Sequence, residues 1–149
     1  CAYKVSVRSL IPPETIQIAM LSGRTILIVE AEYLIALDIQ RILDAANVAR
    51  VIIVGSPAEA RAALAGAGSF DLAIIPMPDM DPDALALADS LGAAGIAIVM
   101  SSADGAPESA IARLGGIPIV TKPFSDADLI AACLKALAQR TASSPTGAQ

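Results

Sequence analysis

Apolar positions along the chain change their spacing in a regular way. From Thr25 onward, short runs of β-branched and aliphatic residues at 25–29, 51–54, 72–75, 96–100 and 117–120 alternate with alanine- and leucine-rich stretches of helical spacing. The short runs are apolar at consecutive rather than alternate positions, so they predict strands covered on both faces. Strand and helix in strict alternation predict parallel βα units. Right-handed crossovers then give a doubly wound α/β fold, one five-stranded parallel sheet with helices on both faces. The functional crevice of such a sheet lies at the carboxyl ends of its strands.

The helix starts carry their own signals. The first helix is predicted over 33–46, with Leu34, Ile35, Ile42 and Leu43 as its apolar residues. Ser56-Pro57-Ala58-Glu59 has a capping serine, proline at the first helical position and glutamate at the third, and opens a helix ending near Gly66. Asp81-Pro82-Asp83 opens the next in the same way. A short helix is predicted at 106–114, ended by Gly115-Gly116. Ser125-Asp126-Ala127-Asp128 opens the last one, on which Leu129, Cys133, Leu134 and Leu137 share a face.

The two ends read differently. Tyr3, Val5 and Val7 alternate with Lys4, Ser6 and Arg8 before Pro12-Pro13 breaks the pattern, and Met20 reads as a natural start. Residues 1–22 are therefore expected to form an arm or extension, 23–139 the domain, and the small polar stretch 140–149 a disordered tail.

Composition narrows the chemistry. The 149 residues suit one domain; 31 are alanine and 3% aromatic, which predicts an aliphatic core with closely packed helices. A net charge of −5 lacks the positive footprint that a phosphate backbone requires, so nucleic acid is not expected as a partner. No histidine occurs, which excludes His-based acid/base catalysis, Ser-His-Asp and Cys-His nucleophiles, and histidine metal ligation. Of the two cysteines, Cys133 falls on the predicted apolar face of the last helix and reads as a buried thiol. That suits a reducing cytoplasm, and no charge-free run is long enough for a membrane span.

The residues after each strand form a distinctive set. Glu30-Ala31-Glu32 follows the first strand, Pro76-Met77-Pro78-Asp79 the third, Ser101-Ser102 the fourth and Thr121-Lys122-Pro123-Phe124 the fifth. An acidic end, a small hydroxyl and a lysine before proline on this arrangement resemble the receiver domain of two-component response regulators, over roughly 24–139. The resemblance implies a flavodoxin-like sheet of order 2-1-3-4-5 and a cis peptide before Pro123. It implies further that an aspartate ending the third strand accepts a phosphoryl group, that acids after the first strand hold Mg²⁺, and that Lys122 and Ser102 hold the phosphoryl oxygens.

This chain departs from that pattern where it matters most. Pro76 stands at the phosphoacceptor position and carries no nucleophile, and the acid pair is Glu30-Ala31, with one carboxylate missing. Glu30 is left as a weak metal candidate, so Mg²⁺ binding is expected to be weak or absent. The set Glu30, Ala31, Ser102 and Lys122 then reads as the remnant of an acidic pocket, in which Lys122 either pairs with Glu30 or holds an anion. Asp79, Asp81 and Asp83 read as a relocated acceptor or, for the latter two, as helix-capping charges.

The expectation is a degenerate receiver, non-enzymatic, that signals by binding another protein or a second copy of itself. The resemblance implies an interaction surface at Ile119, Phe124 and 106–114, with core packing as the other reading of Phe124. Two alternatives stay open: a receiver phosphorylated on a non-standard acceptor, and a small-ligand sensor using the vacated pocket.

Overall fold

The computed structural model describes residues 20–66, 69–77, 82–102 and 116–142. Five strands, β1 (Thr25–Val29), β2 (Arg50–Val54), β3 (Leu72–Pro76), β4 (Ala97–Ser102) and β5 (Ile119–Thr121), pair in parallel in the order β2-β1-β3-β4-β5. Four described helices connect or follow them: α1 (Tyr33–Ala45), α2 (Pro57–Gly66), α3 (Pro82–Ala93) and α4 (Asp126–Ala142). The helix predicted at 106–114 and the aspartates at 79 and 81 lie outside the described residues.

The consecutive apolar residues of the strands divide between two cores. Ile26 and Ile28 of β1 pack with Ile39, Leu43, Leu129 and Cys133 on the face covered by α1 and α4. Leu27 and Val29 pack with Ala60, Leu87 and Leu91 on the face covered by α2 and α3. Each fully buried aliphatic side chain contributes about 1.5–3 kcal/mol. A strand loaded on both sides is thereby fixed in register, because a slip by one residue would exchange the two cores.

The helix signals act as their chemistry dictates. Glu59 N–H donates to Ser56 Oγ at 3.2 Å while the Glu59 carboxylate accepts from Gly55 N–H at 3.3 Å, so the box closes one residue before its cap. Asp128 N–H donates to Ser125 Oγ at 3.0 Å at the start of α4. The turn after α1 places Asn47 at φ 64°, a left-handed position that asparagine tolerates better than most residues.

Both predicted domain edges need correction. Leu21 has no exposed surface and belongs to the α1/α4 core, so the packed unit begins before residue 23. Helical backbone at Met20 and Leu21 leads into a turn in which Arg24 N–H donates to Leu21 O, and this turn carries Leu21 under the sheet. At the other end α4 runs to Ala142. Arg140, assigned to the tail, instead donates from Nη1 to Asp71 O at 2.6 Å and ties the last turn to the start of β3.

Smaller differences have similar causes. Leu34 is exposed, and the inward face of α1 is made by Ala36, Ile39, Ile42 and Leu43. β4 extends through Ser101 and Ser102 because both pair with β5, and β5 itself begins at Ile119, after Pro118.

Candidate functional site at the carboxyl ends of the strands

The carboxyl ends of β1, β3, β4 and β5 bring Glu30, Pro76, Ser102 and Lys122 to one end of the sheet. Glu30 follows β1 directly and its backbone N–H donates to Val54 O, which fixes its position against β2. Its carboxylate is 8% exposed as a residue and has both oxygens engaged. Oε1 accepts from Lys122 Nζ at 2.7 Å, and Oε2 accepts from Glu32 N–H at 3.0 Å. The ion pair and the backbone amide together satisfy a charge that would be costly to bury alone. Lys122 and Glu30 thus form an ion pair across the ends of β1 and β5.

Lys122 is oriented by backbone. Its N–H donates to Ser102 O at 2.8 Å, and the Lys122–Pro123 peptide bond is cis. Ser102 is buried at 9% and lies opposite Thr121 in the β4/β5 register. Pro76 pairs in register with Ser101, and the following Met77 N–H donates to Ser101 O at 2.9 Å. The ring of Pro76 thus ends β3 at the position the resemblance reserves for an acceptor carboxylate. Ala31 is exposed and adds no donor. Glu32 is the N-cap residue of α1, with no side-chain capping bond.

The described residues do not fit a Mg²⁺ centre. Mg²⁺ sheds its waters reluctantly and is held by carboxylates, whereas among the described residues the Glu30 carboxylate already serves a lysine and a backbone amide. No group of three His, Cys, Asp or Glu able to hold a metal occurs among the described residues. Nor is any of their helices long and apolar enough to cross a membrane.

Beside the ion pair lies a groove of about 360 Å³ lined by Leu34, Ile35, Asp38, Lys122, Pro123 and Phe124. Arg41 bonds Asp38, one of the lining residues, within α1 at 2.9 Å and Asp126 of α4 at 3.1 Å. These two carboxylates hold the guanidinium pKa above its ordinary value, Asp126 contributing most. Ile119 and Phe124, predicted to share a surface, are not brought together. Phe124 packs on the α1/α4 core beside the groove, whereas Ile119 packs on the α2/α3 core across the sheet. Tyr33 and Leu34, exposed at 67% and 79%, were missed as surface residues because their apolar character reads as core.

With this geometry in hand, solved structures supply the family. The chain is similar to a response regulator receiver protein from Sinorhizobium medicae WSM419, with 29% identity over 80% of this chain and 98% of that one, TM-score 0.67. It is 30% identical to SdrG from Sphingomonas melonis Fr1, covering 78% and 97% of the two chains with TM-score 0.61. The signal receiver domain of an HD domain-containing protein from Pseudomonas fluorescens Pf-5 shares the fold at 23% identity, 81% and 99% coverage and TM-score 0.65. No protein-family model matches the sequence, and no curated protein matches it as a relative. By fold the chain belongs with the response-regulator receiver domains, flavodoxin-like modules of signalling.

Proposed function

We propose that this domain is a pseudo-receiver, a signalling module that acts through protein–protein contact and not through its own phosphorylation or any enzymatic step. The reading rests on one observation above others: the position that ends β3 is a proline, and the Glu30 carboxylate at the end of β1 is already committed to Lys122 and Glu32. Acyl phosphate formation needs a carboxylate oxygen as nucleophile, and a pyrrolidine ring offers none. The lysine that would neutralise phosphoryl oxygens is neutralised by Glu30 instead and serves to hold the β5–α4 loop, while Ala31 and Pro76 supply no carboxylate, so Mg²⁺ binding is weak or absent. Docking then falls to the preformed surface beside that loop, where Phe124 and Pro123 face α1 across the groove.

The test is incubation with acetyl phosphate and Mg²⁺, followed by intact mass and amide NMR spectra, with beryllofluoride as a second probe. No phosphoryl adduct and no shift of the Glu30, Ser102 or Lys122 amides is expected. A double variant, Ala31→Asp with Pro76→Asp, is expected to gain Mg²⁺-dependent shifts. A phosphoryl adduct on the unaltered chain would overturn the reading and favour an acceptor such as Asp79.

A further inference from the structure

β2 is an edge strand whose outer side is open among the described residues. Arg50 N–H donates to Arg24 O and Val54 O accepts from Glu30 N–H, so by the alternation of a strand Arg50, Ile52 and Val54 turn both backbone groups toward β1. Val51 and Ile53 turn theirs outward. These four outward groups find no partner among the described residues, and the two side chains are only half-buried against the α1/α4 core. One strand further in, β1 is buried from Ile26 to Val29. An apolar edge with free amides is a template for one more strand.

The chain itself supplies a candidate beside this edge. Gly23 N–H donates to Asn47 O at 3.1 Å and Ala49 N–H to Arg24 O at 2.9 Å, so the polypeptide enters the packed unit next to the start of β2. Ahead of that entry, outside the described residues, Tyr3, Val5 and Val7 alternate with Lys4, Ser6 and Arg8. Residues 7–19 reach roughly 40 Å when extended, against about 17 Å for a strand the length of β2, so the segment has chain enough to turn back along it. We propose that Tyr3–Ser6 adds to β2 as an antiparallel sixth strand, with Val5 opposite Val51 and Tyr3 opposite Ile53, each pair exchanging two hydrogen bonds. Doubly wound sheets accept an antiparallel strand at the edge. This register pairs aromatic and β-branched side chains and leaves Arg8 beyond Arg50, whereas a shift by two residues would set the two cations opposite each other. Tyr3 and Val5 then extend the α1/α4 face of the sheet. On that face α1 packs over β2 and α4 over β3, β4 and β5, so the flank of α1 away from the Asp38–Arg41–Asp126 bridge overlooks the edge. The exposed Tyr33 lies on that flank, about 140° around α1 from Asp38. The inference goes beyond the protein-docking reading and does not rest on it.

Amide hydrogen exchange of the full chain, followed by NMR, tests it against Val5→Pro, which removes one of the new donors and disfavours the strand. In the unaltered chain the Val51 and Ile53 amides are expected to exchange at least about tenfold more slowly than in the variant. Ile52 and Val54, bonded to β1, should exchange alike in both, which shows that the domain stays folded. Amide–amide NOEs from Val5 to Val51 and from Tyr3 to Ile53 are expected within one chain. Equal exchange of Val51 and Ile53 in the two proteins overturns the proposal, as does the absence of those NOEs. So does their appearance only between chains in a mixture of labelled and unlabelled protein, which would give the edge to a second copy. None of these outcomes bears on phosphoryl labelling, so the two readings fail separately.

Discussion

Lys122 Nζ lies 2.7 Å from Glu30 Oε1, joining residues 92 positions apart in the sequence. The glutamate side chain is 7% exposed and the lysine side chain 22%, so water screens this pair much less than a surface one. Truncating the lysine leaves a nearly buried carboxylate with only the Glu32 amide for support. Lys122→Met is therefore expected to cost about 2–3 kcal/mol in urea denaturation, just below the range of about 3–5 kcal/mol for a fully buried pair because the lysine is partly exposed. Glu30→Gln/Lys122→Met together should cost less than the sum of the single changes. A loss from Lys122→Met within about 0.5 kcal/mol, the range of ordinary surface substitutions, would show that the pair does not support the fold.

Asp71 organises the opposite end of the sheet. Its carboxylate accepts from Thr25 N–H at 2.8 Å and faces Arg24 and Arg140 at 3.7 Å each, while its carbonyl accepts from Arg140 Nη1. Arg140→Met is expected to lose about 1–2 kcal/mol, a charged hydrogen bond discounted for partial exposure. A chain ending at residue 139 should lose at least as much by the same denaturation measurement. Equal stability of the two chains would remove Arg140 from the packed domain.

Cys133 sits fully buried in the α1/α4 core, and burial pushes its thiol from 9.0 up to about 12. Between these values the unfolded chain has released the proton and the folded chain retains it. The unfolded state then binds fewer protons, so stability falls as pH rises from about 9 toward 12, with a slope of up to about 1.4 kcal/mol per pH unit from this group. The stability difference between the unaltered protein and Cys133→Ala, followed by denaturation across that window, should shift steadily against the cysteine. A difference independent of pH would mean that the thiol ionises alike in both states.

Ser56 tests the cap that opens α2. Ser56→Ala removes the acceptor for Glu59 N–H and is expected to cost about 1 kcal/mol, whereas Ser56→Gly costs only a few tenths. Thermal melts of the two variants give the comparison, and reversal of that order would point to side-chain packing instead of capping.

The sheet was legible because β1 and β3 are apolar on both faces, a pattern that only a covered parallel strand needs. Their positions required no knowledge of neighbours. The ends of β4 and β5 did require it: Ser101 and Ser102 join the sheet through pairing with Val120 and Thr121, which local propensity does not record. Leu34 and Ile35 stand about 100° apart on α1, and the inward arc set by Ala36, Ile39, Ile42 and Leu43 leaves Leu34 outside it. The candidate site was legible at Glu30, Pro76 and Lys122, since the strand-end rule places them together. That Glu32 contributes its backbone amide depends on how the chain enters α1, and no side chain announces it. Arg140 was hidden by its small polar successors, although a cation in the last turn of a helix is itself a favourable signal.

Arg24 and Arg140 both converge on Asp71, so the polypeptide enters and leaves the packed unit at the same pole. The Glu30–Lys122 pair and the α1 groove occupy or border the other pole. The end of the sheet that carries the Glu30–Lys122 pair is thereby opposite both ends of the described domain.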